Sequence, residues 1–111
     1  MLEYSSKEYE CFVVLCLNNQ HKLIQAVELF IGTIDGASVY LREVVKADLQ
    51  CNAAAVILSH NPPSGITDPS QPDKAITIKV KDALNLVNIR TLDHIIVGGV
   101  DTFSFAEGGL L

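Results

Sequence analysis

One segment restricts the fold more than any other: "AAAVILSHNPPSGITDPSQPDKAITIKVKDALNLVNIRTLDHIIVGG", residues 53–99. It opens on a uniformly apolar run, 53–59, of strand length. A run so short and so apolar reads as a central strand of a sheet. A Pro/Gly-rich loop follows. Beyond it, Ile76, Val80, Ala83, Leu84 and Val87 fall on one face of a helix, with Lys74, Lys79, Lys81 and Asp82 largely elsewhere. "TLDHIIVGG" then returns to strand character. A strand, a helix and a second strand in this order make a βαβ crossover, which places the two strands parallel.

The residues before it add a hairpin and a helix. "ECFVVLCLN", 10–18, is β-branched and aromatic and reads as a strand buried on both faces; "KLIQAVELFIG", 22–32, is a second strand. The short polar "NNQH" between them predicts an antiparallel hairpin. Gly32 and Gly36 punctuate a loop. In "SVYLREVVKADLQCN" the period changes, and Leu41, Val44, Val45 and Leu49 form one helical stripe with Ser38 as its N-cap. "TFSF" is a last short strand. The expected class is α/β, a mixed sheet flanked by helices in the order β-β-α-β-α-β-β. With 111 residues the chain makes one domain, expected over 10–111 after a lead-in at 1–9.

Charge narrows the function classes. Thirteen acidic residues against eight basic ones give a net charge of −5. Affinity for nucleic acid comes largely from clustered Lys and Arg facing phosphates, and the densest basic cluster, Lys74, Lys79 and Lys81, is diluted by Asp73 and Asp82. Direct nucleic-acid binding is not expected. No apolar stretch approaches the length that spans a bilayer, and "MLEYSSKEYE" has neither the basic nor the apolar region of a secretory signal, so cytoplasmic residence is the default. Cys11, Cys16 and Cys51 form no Cys-x-x-Cys pair and read as small buried apolar residues.

Chemistry is expected where the 53–59 strand ends. Ligands of open α/β sheets collect at the carboxyl ends of parallel strands, and that end here is His60. Across the loop stands Asp73 at a helix start. A divalent cation needs N and O donors that converge in such a cleft. "SQPD" also has a purely structural use: Ser70, Pro72 and Asp73 compose a capping box with a proline in the first turn. The two uses are compatible, since one carboxylate oxygen can cap while the other coordinates.

"VYLREVVKADLQCNAAAVILSHNPPSGITDPSQPDKAI", then "LDHIIVGG" and "SFAEGGLL", resembles the RadC family of the JAB/MPN (JAMM) metallohydrolase superfamily over nearly the whole chain. The resemblance implies the JAB/MPN, cytidine-deaminase-like architecture. The family motif is His-x-His, seven residues, Ser, two residues, Asp, with a glutamate on an earlier strand. Mapped onto this chain, it implies His60 and Asp73 as zinc ligands, Ser70 as the group that stabilises the oxyanion, and Glu10 as general base. Glu8, Glu28 and Glu43 are the other candidates for that base. The implied activity is zinc-dependent hydrolysis of a peptide or isopeptide bond, in which the ion activates a water.

The second histidine of the motif falls on Pro62: where the family reads "HNHPSG", this chain reads "HNPPSG". Proline offers no donor atom, but it holds Asn61 extended, so the loop is expected to keep its path while zinc binds weakly or not at all. His94 does not rescue the site if it begins the strand after the helix, a strand length from His60. His21 belongs to the hairpin turn. The readings are a weak or inactive metallohydrolase, a non-catalytic interaction module of the same fold and, on the family's DNA-repair label alone, a nucleic-acid-associated protein. Family members usually carry a helix before the first strand. An uncovered sheet face here would favour a homo-oligomer.

Overall fold

The computed structural model describes residues 11–30, 37–62 and 65–111. The lead-in at 1–9, Glu8, Glu10, Gly32, Gly36 and the side chain of Cys11 lie outside this set. Five strands and two helices follow one another as β1 (Cys11–Leu17), β2 (Leu23–Phe30), α1 (Ala37–Gln50), β3 (Ala55–Asn61), α2 (Gln71–Asn85), β4 (Arg90–Gly98) and β5 (Asp101–Ser104). The sheet order is β2-β1-β3-β4-β5, with β3 central. β3 and β4 are parallel, as the crossover predicts, and every other neighbouring pair is antiparallel. This is the mixed α/β sheet in the expected element order.

The β1–β2 hairpin closes through Asn18, whose Oδ1 accepts the N–H groups of Gln20 (2.8 Å) and Lys22 (3.0 Å). That local bonding holds His21 in the left-handed region at φ 62°, a conformation β-carbon-bearing residues adopt only when the turn fixes it. His21 is exposed, and the Arg90 guanidinium donates to its Nε2 at 2.9 Å.

Alternation along the strands sends Phe12, Val14 and Cys16 of β1, Val56, Leu58 and His60 of β3, and His94 and Ile96 of β4 to one face, where all are buried. Both helices supply the cover. Val44 of α1 and Val80 and Leu84 of α2 pack into the core with Phe12, Val14, Cys16, Val56 and Leu58 and with Ala53 and Ile89. The helical stripe read from α2 is thus partly correct, for Val80 and Leu84 are buried while Val87 is 41% exposed. In α1, Leu49 is 53% exposed, and it is Asp48, one turn on from Val44, that faces inward. The helix begins at Ala37, ahead of Ser38, so Ser38 is not its N-cap; the cap position, 36, lies outside the described residues.

The expectation that β1 is buried on both faces is corrected. Val13 and Leu15 on its second face are only half-buried, as are Ile57, Ile95 and Val97 beside them. Burial of β1 is one-sided because both helices pack on the same side. Of the cysteines, Cys16 is buried and Cys51 half-buried.

Candidate functional site: a histidine pair behind a capped helix

β3 runs two residues further than the apolar run suggests, so His60 is the penultimate residue of the strand rather than its lip. It is 2% exposed. The ring of Phe12, its cross-strand partner on β1, stacks on it with centroids 4.6 Å apart and planes within 19°. Such contacts add about 0.5–1.5 kcal/mol beyond burial for aromatic pairs, and here they fix the plane of the imidazole.

Asp73 arrives from the other side, in the first turn of α2. The helix starts where it does because Ser70 and Asp73 complete the capping box. Asp73 N–H donates to Ser70 Oγ (3.1 Å), and Ser70 N–H donates to Asp73 Oδ2 (3.0 Å). Pro72 stands in the first turn, where no intrahelical N–H is needed. The cap engages Oδ2 and orients Oδ1, which lies 3.7 Å from His60 Nε2. One carboxylate therefore caps with one oxygen and faces the histidine with the other.

His94 is where the sequence reading and the structure part. It is not at the opposite end of the sheet: its Nε2 lies 2.8 Å from His60 Nδ1, and the ring centroids are 5.0 Å apart. Two features of β4 account for this. The strand begins at Arg90, so His94 is well inside it. Its register with β3 also slips by one residue: Val56 pairs with Thr91 but Ile57 with Asp93, leaving Leu92 as the extra residue. A one-residue slip exchanges the two faces of everything beyond it. Without it, His94 would pair with Ser59 and point away from the helices; with it, His94 pairs with Leu58 on the face of His60.

His94 is fully buried and stacked on Phe105 (4.6 Å, 13°). Phe105 is held in place by its own N–H, which donates to the His94 carbonyl (3.0 Å). On its far side, His94 Nδ1 lies 2.7 Å from Thr77 Oγ1, and Thr77 donates its hydroxyl proton to the Asp73 carbonyl one turn earlier in α2 (2.7 Å). Burial pushes the His94 imidazolium pKa down to about 3, and the charge of a protonated His60 beside it acts in the same direction. Burial also lowers His60, against the opposing pull of the Asp73 carboxylate. Thr77 was not singled out from sequence. The available signal was its spacing, four residues after Asp73 on the helix face that carries it.

The donor set for a metal is short. Zinc holds imidazole nitrogen and carboxylate oxygen at about 2.0–2.2 Å, and catalytic sites use three protein ligands. His60 Nε2 and Asp73 Oδ1, 3.7 Å apart, are close enough to share an ion of that kind. Pro62, two residues past His60, offers no donor. His94 cannot substitute, because its Nε2 is directed at the opposite nitrogen of the His60 ring. Glu28 pairs with Val13, which puts it on the other face of the sheet, and Glu43 is half-buried on α1. Among the described residues no three His, Cys, Asp or Glu side chains converge as a metal site. Among the described residues the donors do not make up a catalytic zinc centre.

Gly65 and Thr67, ahead of α2, are seated on β4. A β-carbon at Gly98 would meet the Gly65 carbonyl and come within 2.9 Å of Thr67 Cγ2, so glycine is needed for the loop to pass this closely. No described helix is long and apolar enough to cross a membrane.

Comparison with known proteins places the chain in a family. Residues 1–110 match the model of the RadC-like JAB domain. A UPF0758 protein of Saccharophagus degradans is 61% identical over 103 residues, covering 93% of this chain and 46% of the relative. One from Haemophilus influenzae is 55% identical over 111 residues, covering 100% and 50%, and one from Vibrio cholerae is 60% identical over 104, covering 94% and 65%. The chain spans roughly half to two-thirds of the length of these curated relatives, whose names state no activity. With this model matched over residues 1–110, the chain belongs to the RadC-like JAB domain family.

Proposed function

We propose that this domain is a RadC-like JAB domain in which zinc-dependent hydrolysis is disabled at position 62, and which serves as a binding module for a peptide or isopeptide segment in the cytoplasm. The observation that carries this reading is the count of donors around one point. His60 Nε2 and Asp73 Oδ1 face each other at 3.7 Å, and the residue that the family motif makes the third ligand is proline. Loss of a supporting residue outside the ligand set already lowers metal affinity by about 10–100-fold, and loss of a ligand costs more. Glu10 as general base and Ser70 as oxyanion donor, the roles that the resemblance gives them, are then left without an activated water to serve. A role on DNA is disfavoured by the net charge of −5.

Metal analysis tests the reading directly. Wild-type protein purified with zinc and then dialysed is expected to hold well under one equivalent. Position 62 is the third residue of the family's His-x-His motif and directly follows β3, so Pro62→His is expected to raise the content to about one zinc per chain, since zinc sites of this type bind a single ion. Stoichiometric zinc in the wild type would overturn the proposal. A Pro62→His protein that stays metal-free at saturating zinc would show that position 62 does not address the pocket.

A further inference from the structure

The contacts around His60 contain more than a pair of donors. Thr77, His94 and His60 form a chain of hydrogen bonds along which the protons can be assigned from one end. The Asp73 carbonyl can only accept, so at 2.7 Å the Thr77 hydroxyl proton is directed to it. Thr77 Oγ1 then faces His94 Nδ1, also at 2.7 Å, with no proton left to give, and it is His94 Nδ1–H that donates. In a neutral His94 this leaves Nε2 as a lone pair. The contact of 2.8 Å to His60 Nδ1 is therefore made by His60 Nδ1–H. On this assignment the Nδ1 of His60 carries a proton whatever the charge on the ring. In the neutral ring the remaining lone pair is on Nε2, which points at Asp73 Oδ1.

We propose that Thr77 and His94 are positioning residues that hold His60 in the Nδ1–H tautomer, so that a lone pair is kept aimed at Asp73. This role rests on the reading of His60 and Asp73 as the remnant of a cation pocket. An isolated neutral histidine prefers its proton on Nε2, which would turn an N–H toward Asp73 and block that nitrogen as a donor to a metal. The buried chain imposes the other tautomer on two histidines in succession. A ligating histidine characteristically donates its second ring N–H to a fixed partner that sets the tautomer, and His94 is placed as that partner. The stacked rings of Phe12 and Phe105 set the two imidazole planes, while the chain sets their protons.

The device begins at the helix that also carries the carboxylate. The Thr77 hydroxyl is satisfied by its own helix, through the residue i−4 pattern open to threonine, and that residue is Asp73. The backbone of Asp73 thus starts the relay whose far end faces its side chain. Histidine tautomer and carboxylate position are tied to one turn of α2.

Two-bond ¹H–¹⁵N correlation spectra of the ¹⁵N-labelled wild-type chain near neutral pH test this without any metal. Both His60 and His94 are expected with Nδ1 protonated and Nε2 bare; a His60 with its proton on Nε2 overturns the proposal. In Thr77→Val the acceptor is gone, and both rings are expected to switch to Nε2–H, whereas Thr77→Ser keeps the wild-type pattern. Unchanged tautomers in a folded Thr77→Val protein would remove Thr77 from the relay, and if that variant does not fold, the wild-type spectrum still decides. The consequence for a cation is read by cobalt(II) titration followed by visible absorbance in the Pro62→His background. Adding Thr77→Val is expected to weaken binding at least about tenfold, and adding Thr77→Ser to change it little. Equal affinities with and without Thr77→Val would overturn the positioning role. Failure of Pro62→His alone to bind cobalt(II) would instead count against the cation-pocket reading, and the tautomers would stand or fall on their own spectra.

Discussion

Asp48 lies on the inner face of α1, fully buried, with its Oδ1 accepting a hydrogen bond from the Cys16 thiol at 3.4 Å. Burial raises its pKa from 3.8 to about 6, partly offset by that thiol, and burial pushes the Cys16 thiol itself well above its ordinary range. Because the folded-state value is the higher one, the folded protein holds the Asp48 proton more tightly than the unfolded chain does. This contribution is fully present below about pH 4 and is lost as pH rises through about 6. Asp48→Asn keeps an oxygen for Cys16 and removes the titration. It is expected to stabilise the protein above pH 7 by about 1–3 kcal/mol, and by little at pH 4, in urea unfolding followed at both pH values. Nothing in the sequence flagged Asp48, since its neighbours in the helical stripe, Val45 and Leu49, looked like the better inward residues. His60 and Asp73, by contrast, were legible as a facing pair, because a strand end and a capped helix start are both written in local spacing. His94 was not. Its place depends on a single slipped pairing at Leu92, and register is a property of two strands together that no one strand's composition encodes.

Among the elements, α2 carries most of the site, and its first turn is the part that matters. Ser70 closes the capping box while the same carboxylate turns its other oxygen to His60, so helix stability and site geometry share one side chain. Ser70→Ala removes the acceptor for Asp73 N–H and is expected to cost about 0.5–2 kcal/mol in chemical unfolding, with Ser70→Thr close to wild type. The Asp73 carboxylate keeps its bond from the Ser70 backbone N–H in this variant, so the loss is expected in helix stability rather than in the side chain's own anchoring. The capping box was readable from "SQPD" alone, as was the parallel β3–β4 pairing from the crossover. The bounds of β3 were less so: the run read as a strand stops at Ser59, yet His60 and Asn61 continue the strand because β1 pairs with both of them.

For the whole molecule, the placement of both helices on one face leaves the other face of the sheet with a line of half-buried side chains, Val13, Leu15, Ile57, Ile95 and Val97, and with Ile24 45% exposed at the β2 edge. Apolar surface of that kind is a site of association. Light scattering of this chain at micromolar concentration is expected to give the mass of a dimer or larger, and Leu15→Glu to shift it to the monomer; a monomeric wild type would count against association through this face. The curated relatives extend well beyond the region matched here, and a longer chain has further segments with which to cover the same surface.

The row of rings Phe12, His60, His94 and Phe105 crosses from β1 through β3 and β4 to the turn after β5. The sequence has no tryptophan, so the usual intrinsic fluorophore of folding studies is missing, but this row provides a substitute. His60 is stacked on Phe12 and His94 on Phe105, so the ring currents of the phenyl groups are expected to displace the imidazole carbon-bound proton resonances from the free-histidine position. Those displaced lines exist only while three strands and a turn are held in common register, so the protein carries its own label-free gauge of whether its centre is assembled.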